Sequence, residues 1–140
     1  MDNPQILLKW DNALLTGIEE IDLQHQHFVG ILNKLYVDFS NLAPKESLDK
    51  SVSELIAYAA THFATEEGYM EKYKFPGIEE HKIKHQELTN TLNELVAKYN
   101  NEGKSVLTNL FDFLENWLVQ HLDIMDGKYV KYFKEIGVIK

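Results

Sequence analysis

LDKSVSELIAYAATHFATEEGYMEKY, residues 48–73, places Leu48, Val52, Leu55, Ala59, His62, Glu66, Tyr69 and Tyr73 at steps of three or four. That spacing returns side chains to one stripe of an α-helix. His62 and Glu66 stand on the stripe where core apolar residues would be expected. The same pattern recurs on either side. Upstream it runs Ile21, His25, Phe28, Leu32, Leu35, Phe39; downstream it runs Ile78, His81, His85, Leu88, Leu92, Leu95, Tyr99, and then Leu107, Leu110, Leu114, Trp117, His121, Ile124. Each stripe carries at least one histidine.

Breakers separate the stripes: Asn41 to Pro44, Phe75-Pro76-Gly77, and Asn100 to Gly103. Links this short between long helices favour antiparallel neighbours. The expected fold is therefore all-α, an antiparallel up-down-up-down four-helix bundle with helices over about 18–40, 46–73, 78–101 and 105–126. One domain, 1–140, accounts for the length. An N-terminal arm, 1–17, is expected to lie across the bundle on Leu7, Leu8 and Trp10. A short C-terminal extension, 127–140, should continue the fourth helix or form a small turn.

Composition narrows the chemistry. The chain is 44% hydrophobic and 26% charged, an ordinary balance for a soluble globular domain. It carries a formal net charge of -8, with 14 Lys and Arg against 22 Asp and Glu and no basic block. Nucleic acid is a poor partner for such a surface, because phosphates demand clustered positive charge. Cysteine is absent, which excludes disulfides, iron–sulfur clusters, thiolate zinc and cysteine nucleophiles. Any metal must be held by His, Asp or Glu. No stretch has the length of a membrane span, and Met1 to Leu8 lacks the basic start and apolar run of a signal peptide. The expected location is the cytoplasm and the expected state a monomer.

Residues four apart lie one above the other on a helix. His62 with Glu66, and His81 with His85, are such pairs, each able to offer two donors to one point. In the predicted bundle His25 begins helix one, Glu66 ends helix two, His81 and His85 begin helix three, and His121 ends helix four. All fall at the same end. Asp126, five residues after His121, is rotated by roughly 140° on a regular helix. A π-type turn would return it to the centre, and Gly127 would ease the distortion; Asp123 is the substitute if it cannot reach. A lone histidine on an apolar stripe is usually a satisfied core residue. Five of six histidines converging at one end are not, since unpaired buried imidazoles are costly. His27 and Glu67 read as exposed, and Gln24 and Asp22 as capping residues or outer partners of the histidines. Phe28, Phe63, Tyr69, Phe113 and Trp117 read as core packing.

The segments Asp22-Leu23-Gln24-His25, His62-Phe63-Ala64-Thr65-Glu66-Glu67, His81 to His85, and Trp117 to His121 followed by Asp126 resemble the bacterial hemerythrins in order and spacing. The resemblance covers nearly the whole chain. It implies two non-haem iron ions bridged by Glu66, Asp126 and a solvent-derived oxo or hydroxo group. His81, His85 and His121 would complete one iron, and His25 and His62 the other. The second iron then has five ligands against six, and dioxygen would take the remaining position. The resemblance also makes Leu118, one turn before His121, a wall of an apolar oxygen pocket.

Imidazole and carboxylate alone admit iron, zinc, copper or manganese. An open pair sharing carboxylates suits dioxygen better than a closed structural zinc. The function expected is reversible dioxygen binding for storage, delivery or buffering, not enzymatic turnover. Five neutral imidazoles with two carboxylates favour binding over oxygen activation. An oxygen-sensing interaction module, with an unidentified protein partner, stays open. So does a di-iron peroxidase or nitric oxide reductase fed by a reductant, with Tyr69 and Glu67 near enough to assist.

Overall fold

A computed structural model describes residues 15–121 and 126–139, without the side chains of Leu118 and Val119. The arm's anchors Leu7, Leu8 and Trp10, together with Asp123 and Ile124, lie outside the described residues. Helices α1 (Glu19–Ser40), α2 (Lys45–Lys72), α3 (Ile78–Glu102), α4 (Leu107–Gln120) and α5 (Asp126–Glu135) follow one another, with a 3₁₀ turn at Lys104–Val106 before α4. The all-α reading holds, and no strand occurs among the described residues.

Local chemistry sets the helix ends. Asp22 folds back to accept the backbone N–H groups of Thr16 and Gly17 and the Thr16 hydroxyl, at 2.7, 3.1 and 2.8 Å. This takes the place of a capping side chain at Ile18. Glu19, Glu20 and Asp22 complement the positive end of the α1 dipole. Pro44 leads into α2 with its fixed φ of -59°. Gly103 stops α3 at φ 87°, a conformation costly for any side chain.

The helices alternate in direction. At one end, Tyr99 near the close of α3 donates to Asp49 near the start of α2, at 2.7 Å, and Phe39 of α1 meets Phe111 of α4 at 5.4 Å between ring centroids. At the other end, His25 of α1 packs edge-on against His62 of α2 at 4.3 Å.

Two apolar clusters fill the interior. The larger includes Phe28, Leu32, Leu35, Leu55, Phe63, Leu88, Leu92, Leu107, Leu110 and Leu114. The smaller comprises Ile18, Ile21, Met70, Phe75, Tyr129 and Phe133. Along α1 the order is Ile21, His25, Phe28; along α2 it is Ala59, His62, Glu66, Met70. The histidines therefore form a polar layer between the two clusters.

The chain's end is helical and packed. α5 carries Asp126, and Tyr129 and Phe133 on the same helix are fully buried. Their i,i+4 spacing gives α5 one apolar face, which packs into the smaller cluster.

Candidate metal centre

His25, His62, Glu66, His81, His85, His121 and Asp126 are all buried, none more than 4% exposed. The fold brings the seven predicted residues together. They form two donor groups: Glu66, His81, His85 and His121 in one, and His25, His62, Glu66 and Asp126 in the other, with Glu66 common to both. Asp126, five residues after His121, reaches the same cluster. His121 itself has π-helical geometry, and Asp126 Oδ1 lies 3.0 Å from His121 Nε2 and 3.3 Å from His81 Nε2. Its Oδ2 lies 3.2 Å from His25 Nε2. Glu66 Oε1 faces His62, His85 and His121 Nε2 at 2.9, 3.4 and 3.5 Å.

Outer partners set which ring nitrogen is bare. Thr65 spends its hydroxyl proton on Thr61 O, so Gln24 turns its amide nitrogen to Thr65 Oγ1 at 3.1 Å and its oxygen to His62. His62 Nδ1–H then donates to Gln24 Oε1 at 2.9 Å, turning Nε2 to the centre as the nitrogen that would be bare when a metal is held. His85 Nδ1–H likewise donates to Glu67 Oε2 at 2.8 Å. Glu67 is thus half-buried at 27% exposure and not the free surface charge expected. His27 is exposed as read, resting on Tyr58 at 4.4 Å. Aromatic planes fix two more rings: Phe63 stacks on His85 at 4.0 Å and Trp117 on His121 at 4.5 Å.

Electrostatics show what the pocket demands. Burial alone would raise Glu66, but His62, His121 and His85 hold it well below its usual range. Asp126 is raised by burial and by Glu66, yet His121 and His25 bring it below its usual range. Burial disfavours charge on His121, and the two carboxylates outweigh it, lifting the imidazole to about 10. Two buried carboxylates thus draw positive charge to the centre. Both Asp126 oxygens and the Nε2 atoms of His25, His62 and His81 lack hydrogen-bond partners among the described residues. Buried polar atoms are rarely left so. The donor set therefore fits cations and is poorly satisfied by protons alone.

Tyr129 was not singled out from the sequence. Its buried hydroxyl donates to Glu66 Oε2 at 2.7 Å, and burial, Asp126 and Glu66 push the phenol well above its ordinary value. The available signal was its i+3 position after Asp126, which shares a helix face. Beside His25 and His62 lies a cavity of about 10 Å³ lined by Phe28, Ala59, Phe63, Trp117 and His121. That is about the room one water-sized molecule needs.

The family model described as "Hemerythrin HHE cation binding domain" matches residues 16–133. A bacteriohemerythrin of Stenotrophomonas maltophilia is 29% identical over 128 residues, covering 91% of this chain and 82% of that protein. A bacteriohemerythrin of Pseudomonas aeruginosa is 31% identical over 123 residues, covering 88% and 79%. A myohemerythrin of Sipunculus nudus is 30% identical over 121 residues, covering 86% and 88%. A crystal structure of hemerythrin with a leucine-to-tyrosine substitution superposes with a TM-score of 0.82 at 26% identity, covering 91% of this chain and 97% of that one.

Proposed function

The chain belongs to the hemerythrin family, and from that premise we propose that it binds dioxygen reversibly, for storage, delivery or buffering, at a carboxylate-bridged pair of irons. When bound, a ferrous pair would supply the reversible two-electron chemistry that dioxygen binding needs. The observation that carries the reading is the pair of donor groups sharing Glu66. In this assignment His81, His85 and His121 hold one iron, His25 and His62 the other, and Glu66 and Asp126 serve both.

The protein's own residues would do three things. Gln24 and Glu67 fix the imidazole tautomers so that bare Nε2 atoms face inward. Phe63 and Trp117 hold His85 and His121 in plane. Phe28, Ala59, Phe63 and Trp117 give the cavity beside the two-histidine group apolar walls, which disfavour entry of water and escape of a charged oxygen species. Leu118, whose side chain lies outside the described residues, is proposed as a further wall by its position one turn before His121. Leu118→Ala should then accelerate autoxidation.

Binding is proposed over turnover, with Tyr69 withdrawn as a proton donor. Tyr69 donates to Glu20 on the surface at 2.9 Å and is engaged there, away from the cavity. No helix among the described residues is long and apolar enough to cross a membrane. The working form proposed is a cytoplasmic monomer, re-reduced by a cellular reductant. The test is an absorption spectrum of the iron-loaded protein, taken reduced, then under air, then under vacuum. Charge-transfer bands that appear in air and fade under vacuum are expected. Bands that persist, with steady consumption of reductant and peroxide or nitric oxide, would move the assignment to an enzyme.

A further inference from the structure

We propose that Tyr129 is a positioning residue for the iron pair, its hydroxyl claiming one oxygen of Glu66 so that the two carboxylates serve the centre unequally. The inference rests on the di-iron reading above. Its observation is a difference between the two acids. Asp126 turns Oδ1 to His81 and His121 and Oδ2 to His25, one oxygen toward each donor group. Glu66 turns Oε1 alone to His62, His85 and His121. Its Oε2 accepts the Tyr129 hydroxyl at 2.7 Å.

The arrangement is built by one short helix. Asp126 and Tyr129 stand three apart on α5, so the element that delivers one acid also delivers the group that restrains the other. The Tyr129 ring is held by Phe133, His81 and Phe75 at 5.4, 5.6 and 6.5 Å between centroids. The hydroxyl therefore has little freedom to leave Glu66.

A phenol that donates to a carboxylate withdraws electron density from it. Glu66 becomes a weaker donor, which disfavours the ferric state more than the ferrous one, because the higher charge gains more from a strong anionic ligand. Tyr129 thus protects the reduced form from oxidation while leaving the number of ligands unchanged. The competing explanation is that Glu66 merely satisfies a buried phenol.

The experiment compares wild type with Tyr129→Phe, which keeps the ring and removes the donor. Iron content is measured first: two irons per chain are expected in both, and fewer than two in wild type would overturn the di-iron reading and this inference together. With two irons in both, the variant should autoxidise about tenfold faster, as loss of a charge-assisted hydrogen bond implies. Its midpoint potential should fall and its charge-transfer bands should move. Potential and autoxidation within twofold of wild type would overturn the role of Tyr129 and leave the di-iron reading standing. The iron-free wild type should also show a slowly exchanging downfield hydroxyl proton in NMR spectra that the variant lacks; its absence from wild type would count against the bond. Should Tyr129→Phe not fold, Tyr129→3-fluorotyrosine supplies a stronger donor of nearly the same shape. Slower autoxidation and a raised potential are expected from it, and no change would overturn the inference.

Discussion

The two halves of the bundle are held together by different means. In the half away from the histidines, Leu32, Leu35, Leu55, Leu107 and Leu114 are wholly excluded from solvent, and the buried phenol Tyr99 has its acceptor in Asp49. In the other half, every buried side-chain nitrogen or oxygen without a partner among the described residues belongs to His25, His62, His81 or Asp126. Apolar burial suffices for the first half. The second half leaves its electrostatic requirements to be met from outside the chain, so its stability should depend on what it binds.

Metal removal should expose that difference most. A tightly bound ion at 1,000 times its dissociation constant contributes about 4 kcal/mol. Stripping both ions should therefore lower the melting temperature by roughly 10 °C or more. Amide exchange should rise around His25, His62 and α5 while α1 near Leu35 stays protected. Uniform loss of protection in both halves would erase the distinction.

The reverse perturbation is Leu55→Ala. It should cost about 3 kcal/mol in chemical denaturation, as a large-to-small change in a packed core does, with iron content and charge-transfer bands unchanged. Loss of iron in this variant would show that the halves are not separable.

Glu67→Gln sharpens the account of the histidine layer. Its carboxylate makes His85 a stronger donor through Nδ1, so competition with a chelator should show metal affinity reduced about tenfold, the lower end for an outer partner of a ligand. Gln24→Ala should act on the His62 side in the same manner.

The smallest effect belongs to Tyr99→Phe in the apolar half, about 1 kcal/mol near neutrality. Burial and Asp49 raise the Tyr99 phenol to about 12. Its folded value lies above the ordinary one of 10.0, so the contribution is complete below that value and is lost as pH climbs toward 12. Denaturation curves of wild type and variant should therefore converge between those limits. Asp49 is displaced the other way, below its usual range by Lys45 and Tyr99, so its share disappears only in acid.

The apolar half was almost fully legible in the amino-acid sequence because helical period and breakers are local signals. The histidine layer was legible for the same reason: His62 with Glu66 and His81 with His85 each share a face, and antiparallel order brings the ends to one height. Asp126, five residues after His121, falls off the regular stripe, so periodicity alone did not place it in the cluster. Glu67 and Tyr129 could not be read with equal clarity. Each acts across to another helix, Glu67 on His85 and Tyr129 on Glu66, and the period along one helix does not specify how its neighbour is rotated against it. The burial of α5 was hidden too, since ten residues with one apolar face read equally well as a helix tail.

The most direct test is diffraction near the iron absorption edge from crystals of protein loaded with ferrous iron without air. The account predicts two anomalous peaks, one among His81, His85 and His121, the other beside His25 and His62, with Glu66 and Asp126 reaching both. A single peak, or iron bound only at surface acids, would contradict it.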